Sequence, residues 1–199
     1  LSKLEVLFAS TNLGKLQEVR ELARQFSVTV LGLSDVTGVS ATVPEVEENG
    51  QTYQANAFLK AEAYFAWSGM ATIADDTGLE VRALAGSPGV LSARYAGANA
   101  TGRENKQLLL KNMQEKKDRR ALFVCELVFI LEPSKVYVAR GELMGEITRE
   151  ESGNGGFGYD SIFRLPDFDC TLAEAKERRL AVKTHRECAL ERLFLQKLS

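Results

Sequence analysis

The chain has 199 residues, 45% hydrophobic and 26% charged, the make-up of a globular protein long enough to bury a sizeable core. A formal net charge of −2 gives no electrostatic footprint for nucleic-acid polymers or an anionic membrane surface, while a local cluster of cations still suits a small anionic ligand. Without a membrane-length apolar run, a signal peptide, disulfide or metal spacing among Cys125, Cys170 and Cys188, or any histidine besides His185, the expectation is a reduced, cytoplasmic protein.

Residues 4–9 read as a buried strand, followed by capping side chains at Ser10, Thr11 and Asn12. Leu16, Val19, Leu22, Ala23 and Phe26 then recur at helical spacing. Residues 28–31 read as a second strand. Residues 34–51 lack periodicity and hold Glu45, Glu47 and Glu48; long irregular loops in compact domains are usually functional or disordered. A second helix is expected over 52–68, with Tyr53, Ala57, Ala61, Tyr64 and Phe65 on its apolar face. Residues 71–74 form a short strand running into turns at 75–78 and 86–89. A helix over 101–114 ends in a charged, solvated run, and 121–131 with 136–147 form a long hairpin around Pro133. The last helix starts near residue 187, apolar at Leu190, Leu193, Phe194 and Leu198. Alternating helices and strands with a long hairpin predict a mixed α/β fold in a single domain over 1–199.

The most informative stretch is Gly153-Asn154-Gly155-Gly156-Phe157-Gly158-Tyr159-Asp160. Its glycines free the backbone to approach a ligand, an aromatic ring offers stacking, and Asp160 accepts from a base N–H, a set that suits a nucleotide. Gly153-x-Gly155-x-x-Gly158 also matches the dinucleotide fingerprint, which should follow a strand and open a helix. Here 159–165 reads as strand and Pro166 stops it. The Rossmann reading fails on context.

Ser10-Thr11-Asn12-Leu13-Gly14-Lys15 lies where a strand turns into a helix, so its amides, hydroxyls and lysine favour phosphate; the plainer reading is a helix cap with a surface lysine. Ala9 and Leu16 stand where a P-loop needs Gly and Ser or Thr. Adjacent strand residues face opposite sides, so one of Asp75 and Asp76 enters a given site, to hold Mg²⁺ or act as general base. The plainer reading of that pair is an Asx-stabilised turn. A loop glutamate beside phosphate oxygens suits Mg²⁺, against a solvated acidic loop. Lys60 shares a helix face with Asn56. Arg178, Arg179, Lys183, His185 and Arg186 form a basic cluster, either donors to base carbonyls or a solvated helix terminus. Glu126 interrupts an apolar strand for no reason visible in the sequence.

Six ordered blocks carry a resemblance that runs end to end: residues 8–15, 56–61, 73–79, 86–97, 155–160 and 184–186. They read Phe-Ala-Ser-Thr-Asn-Leu-Gly-Lys, Asn-Ala-Phe-Leu-Lys-Ala, Ile-Ala-Asp-Asp-Thr-Gly-Leu, Gly-Ser-Pro-Gly-Val-Leu-Ser-Ala-Arg-Tyr-Ala-Gly, Gly-Gly-Phe-Gly-Tyr-Asp and Thr-His-Arg. The chain resembles the inosine triphosphate pyrophosphatase family, also called non-canonical purine NTP or dITP/XTP pyrophosphatases. The resemblance implies an elongated mixed central sheet flanked by helices, two lobes around a central nucleotide cleft, and a homodimer. It implies Mg²⁺-dependent hydrolysis of ITP, dITP and XTP to the monophosphate and pyrophosphate. Ser10, Thr11, Asn12, Leu13, Gly14 and Lys15 would then bind the triphosphate. Asp76 would serve as metal ligand and general base, with Thr77 beside the substrate and Glu47, or its near neighbour Glu48, as the other metal carboxylate. Phe157 would stack on the purine, Gly158, Tyr159 and Asp160 would complete the pocket, and His185 and Arg186 would read the base. The family's Glu before the second-block Asn is Ala55 here, and its Ser before His-Arg is Thr184. Its substrate-binding Lys falls on Leu180; Arg179 would take that role if one residue is inserted, with Lys183 as the alternative. Two further readings stand beside this one: a pyrophosphatase of different base choice, and a nucleotide-binding regulator without catalysis. The presence of Lys15, Glu47 and Asp76 argues against the regulator.

Overall fold

The computed structural model describes residues 4–36 and 42–198, with side chains through residue 196. Positions 37–41 of the irregular acidic segment and the side chain of Leu198 lie outside the described residues. In chain order the elements are β1 (Leu4–Phe8), α1 (Leu13–Ala23), β2 (Val28–Leu31), α2 (Tyr53–Ser68), β3 (Thr72–Val81), β4 (Pro88–Gly89) and α3 (Gly102–Asn112). There follow β5 (Arg120–Glu132), β6 (Lys135–Ile147), β7 (Phe163–Leu165), β8 (Cys170–Thr171), α4 (Leu172–Glu177) and α5 (His185–Leu198). The strands form one mixed sheet in the order β2-β1-β3-β5-β6-β7-β8, with β4 paired to β3. β1 runs parallel to β2 and β3, whereas β7 is antiparallel to β6 and β8. The mixed α/β class read from the sequence is the class found.

Two compact units divide the chain: residues up to Asp76 with Cys125–Gly141 and those from His185 on, and Thr77–Val124 with Glu142–Thr184. In the first unit both faces of the sheet are covered, which explains the apolar run over residues 6–9. Val6, Phe8, Ile73 and Leu127 pack with Leu16 and Val19 of α1 and Leu190, Leu193 and Phe194 of α5. Leu7, Ala9, Ala74 and Val128 point the other way, onto Ala57, Ala61 and Tyr64 of α2. Glu126, the charge within apolar β5, pairs with Arg140 of β6 at 3.0 Å. A Cβ at Gly141 would lie 2.0 Å from the His185 carbonyl oxygen, so glycine on β6 lets the first turn of α5 lie against the strand. The second unit has its own core, in which Leu79, Leu109, Met113, Phe123, Phe163 and Leu172 are buried together.

Helix ends follow their caps. Thr52 accepts from the Ala55 amide at 3.1 Å to open α2, and Thr101 with Glu104 forms a capping box on α3. Three expectations change. The turn predicted at 75–78 is the continuation of β3, because Asp75 and Asp76 are buried against partners on the flanking helices and need no local turn to satisfy them. The strand predicted from Tyr159 begins only at Phe163, after a 3₁₀ turn over Asp160–Ile162. The last helix starts at His185, which places His185 and Arg186 in its first turn.

Candidate active site

In the first unit, alternation along β3 decides which carboxylate meets which helix. Ile73 faces α1 and α5, so Asp75 does too; Ala74 faces α2, so Asp76 does too. Asp75 Oδ2 accepts from Lys15 Nζ at 2.9 Å and from Arg186 Nη2 at 3.2 Å. Arg186 is 1% exposed, and its Nη1 donates to Glu18 of α1. Burial pushes the Asp75 carboxyl up, but Lys15, Arg186 and Lys60 together outweigh it and hold the group far below the usual carboxylate range. Asp75 is thus a fixed anion that pins two cations.

Asp76 has the opposite electrostatics. Its Oδ2 accepts from Asn56 Nδ2 of α2 at 3.0 Å. Burial drives the Asp76 carboxyl above its usual range, and Glu48 adds to the rise, outweighing the pull of Lys60, Asn56 and Lys15. Asn56 also accepts the Gly50 amide at 2.8 Å, which ties the acidic segment to α2. Lys60 holds Glu48 at 2.9 Å. Burial pulls the Lys60 ammonium down, yet Asp75, Glu48 and Asp76 more than compensate and keep it charged. Of the acidic segment, Glu48 is half-buried and acts on Asp76, whereas Glu45 and Glu47 are exposed.

The N-terminus of α1 stands beside this pair through Lys15. Asn12 caps the helix by accepting the Lys15 amide at 3.1 Å, and Ser10 Oγ accepts the Asn12 amide at 3.2 Å. Thr11, Asn12 and Leu13 are exposed, with Gly14 half-buried, so this first turn presents amides and hydroxyls outward beside a lysine.

In the second unit the glycine-rich loop lies on α4. A Cβ at Gly153 would meet the Glu174 amide nitrogen at 2.7 Å, and one at Gly155 the Ala173 carbonyl oxygen at 2.4 Å. The Asn154 amide donates to Glu177 at 2.7 Å, and Thr171 Oγ1 donates to the Ser152 carbonyl at 2.8 Å. The close approach that Gly153 and Gly155 permit is therefore to a helix of the same unit, while Gly158 has open space beside it. Asp160 Oδ2 accepts the Phe157 amide and Lys176 Nζ, each at 3.0 Å. Tyr159 is buried and donates to the Ser92 carbonyl at 2.8 Å, while Phe157 and Gly158 stay exposed. Ser92 in turn accepts the Leu79 amide at 2.8 Å, which gives the Gly86–Gly97 block a place in holding this loop.

A protein-family model described as the Ham1 family matches residues 6–196. The chain belongs to the Ham1 family. It is 40% identical over 200 residues to a dITP/XTP pyrophosphatase of Thioalkalivibrio sulfidiphilus, covering 98% of each chain. It is equally 40% identical to a dITP/XTP pyrophosphatase of Bacillus licheniformis, over 95% of each. Among solved structures, the Coxiella burnetii HAM1 protein matches with a TM-score of 0.85 at 36% identity over 98% of each chain. The Staphylococcus aureus Ham1 protein matches with a TM-score of 0.81 at 38% identity, over 98% of this chain and 100% of that one.

In this Ham1 chain, the geometry joins Lys15, Asp75, Arg186 and Glu18 in one network and Asp76, Asn56, Lys60 and Glu48 in another. Asp75, Glu18 and Asn56 were not among the candidate site residues. Glu18 carries no sequence signal, whereas Asp75 and Asn56 lie in the motif blocks 73–79 and 56–61, the first marked by strand alternation and the second by the face it shares with Lys60. His185 is buried at the first position of α5, and Thr77 is half-buried in β3. Arg179 is exposed and left-handed, with φ of +54°, just past the end of α4; Lys183 and Leu180 are exposed as well.

Proposed function

We propose that this chain hydrolyses the non-canonical purine nucleoside triphosphates ITP, dITP and XTP to the monophosphate and pyrophosphate, in a Mg²⁺-dependent reaction that cleanses the nucleotide pool. The observation that carries this reading is the division of labour between two adjacent buried aspartates. Asp75 stays ionised and holds Lys15 in place, while Asp76, on the opposite face of β3 beside Asn56, has its carboxyl raised by burial. Asp76 takes the proton of the water that attacks the α-phosphorus. Lys15, Lys60 and the outward amides and hydroxyls at the start of α1 hold the phosphate oxygens.

The carboxylates also fit a hard divalent cation. Mg²⁺ takes one or two carboxylates and fills the rest of its shell with phosphate and water oxygens. Asp76 and a glutamate of the acidic segment, Glu47 or Glu48, would hold it, and when bound it supplies charge neutralisation on the phosphates. Phe157 offers its exposed ring to the purine, beside Gly158, Tyr159 and Asp160. His185 and Arg186 are the base-reading pair, and Arg179 stands in for the family's substrate-binding lysine. Arg186 ties the first turn of α5 to Asp75 and so holds His185. Adenine would leave those donors facing an amino group, a mismatch that weakens binding. The resemblance also supports a homodimer and a cytoplasmic location.

The test is pyrophosphate release from ITP, XTP, dITP, GTP and ATP, with and without Mg²⁺, for the wild type and Asp76→Asn. The expected outcome is pyrophosphate from the deaminated purines alone, only with metal. Asp76→Asn should bind ITP but lose at least about 10²-fold in kcat, the contribution of a positioned base. Orthophosphate from all five nucleotides, or wild-type turnover in Asp76→Asn, would overturn the reading.

A further inference from the structure

Lys176, in the last turn of α4, belongs to none of the motifs above. Its Nζ lies 5.2 Å from the centroid of the Phe157 ring, over its face. The same ammonium is 3.0 Å from Asp160 Oδ2, the oxygen that also accepts the Phe157 amide at 3.0 Å. One ion pair therefore grips Phe157 twice, its main chain through Asp160 and its ring through Lys176. Glycine at 156 makes the arrangement possible, since a Cβ there would lie 2.0 Å from Asp160 Oδ2 and 2.9 Å from Lys176 Cδ.

A phenylalanine on a glycine-rich loop, 36% exposed, would ordinarily sample several rotamers and lose that freedom when a base stacks on it. A cation over one face removes part of that cost in advance, because the ring quadrupole attracts it there. It also leaves the opposite face as the one a base can use. We infer that Lys176 is a positioning residue for nucleobase recognition, holding Phe157 with one ring face closed so that the other is presented to the purine. The inference rests on the stacking role proposed for Phe157. It carries a signature of its own: stacking is insensitive to the substituents at the base edge, so Lys176 strengthens binding of every purine alike and leaves the choice among them to other residues.

The test compares steady-state kinetics of the wild type, Lys176→Met, Lys176→Arg, Phe157→Leu and the Phe157→Leu/Lys176→Met double variant, with ITP and XTP and with melting curves for each. Lys176→Met should raise KM for both nucleotides about two- to fivefold, the size of a partly exposed cation–π contact, with kcat and melting temperature little changed. Lys176→Arg should restore the wild-type KM, and Lys176→Met should add nothing in the Phe157→Leu background. A Lys176→Met enzyme with wild-type KM, while Phe157→Leu raises it, would overturn the inference and leave the stacking reading standing. An effect of Lys176→Met that persists without the ring, or that falls on ITP and XTP unequally, would overturn it in favour of a direct contact with substrate. If Phe157→Leu leaves KM unchanged, the stacking reading falls and the inference with it.

Discussion

Arg179 occupies a conformation that an arginine enters only at a cost. With φ of +54° it closes the end of α4: its amide donates to the Lys176 carbonyl at 3.1 Å, and the Leu180 amide donates to the Ala175 carbonyl at 2.9 Å. Glycine is the usual residue there, because a Cβ in the left-handed region costs about 1–2 kcal/mol. A strained, exposed arginine in a basic cluster is a candidate for function, and strain gives a way to test it. Arg179→Gly should raise stability by about 0.5 kcal/mol or more, once the greater freedom of glycine in the unfolded chain is subtracted. It should also raise KM for ITP several-fold, and more than Lys183→Ala does. Denaturant titration reads the first effect and steady-state kinetics the second; a larger KM effect from Lys183→Ala would move the substrate contact to Lys183.

At the scale of elements, the glycine loop and α4 form one object, held by glycines of two different kinds. Gly155 has no unusual φ, but a Cβ on it would meet the Ala173 carbonyl oxygen at 2.4 Å, an atom of helix backbone that cannot swing aside. Gly158 has φ of +62° with nothing within 4 Å of its Cβ position. Gly155→Ala must therefore push the loop off the helix, for about 2–3 kcal/mol in the range of overpacking, whereas Gly158→Ala costs about 1 kcal/mol of backbone strain. Urea denaturation of the two variants should rank them in that order, and equal losses would mean that the loop does not sit flush on α4. This platform was hidden in the sequence, since four glycines in eight residues read equally as room for a ligand or for a helix. By contrast β1, β2, α2 and the β5–β6 hairpin were legible, because apolar periodicity and caps such as Thr52 act locally. β3 was misread at Asp75-Asp76-Thr77-Gly78 for the opposite reason. Turn-forming residues there are overridden by Lys15, Arg186 and Asn56, whose approach no local pattern reports.

For the whole molecule, the same split between local and long-range signal governs the site. Motif blocks mark Lys15, Asp75, Asp76 and Arg186 one at a time, while the links that hold them together, Arg186 to Asp75 and to Glu18, span 111 and 168 positions of chain. Those links make stability depend on pH in a definite direction. A carboxyl whose folded pKa lies below its unfolded value binds fewer protons in the folded state, so its contribution is full above the unfolded value and is lost as pH falls. Asp75 is the buried member of this class, and Asp118, held at about 2 by Arg120, and Glu151, lowered by Lys106, are surface members with small, salt-screened effects. Asp76, with its raised value, works in the opposite sense: ionising it destabilises the fold as pH rises through its folded value. In chelator, to keep metal out of the comparison, wild-type stability should therefore fall as pH drops below about 4, the unfolded aspartate value. Asp75→Asn should cost about 3 kcal/mol at pH 7, because Arg186, 1% exposed, keeps its charge after losing a carboxylate partner. The gap between wild type and Asp75→Asn should then narrow steadily below about pH 4, because the unfolded wild-type chain takes up a proton at Asp75 that the folded carboxylate does not bind and the variant cannot. Urea midpoints across pH 3–7 read this directly, and a gap that stays constant over that range would remove Asp75 as the electrostatic anchor of Lys15 and Arg186.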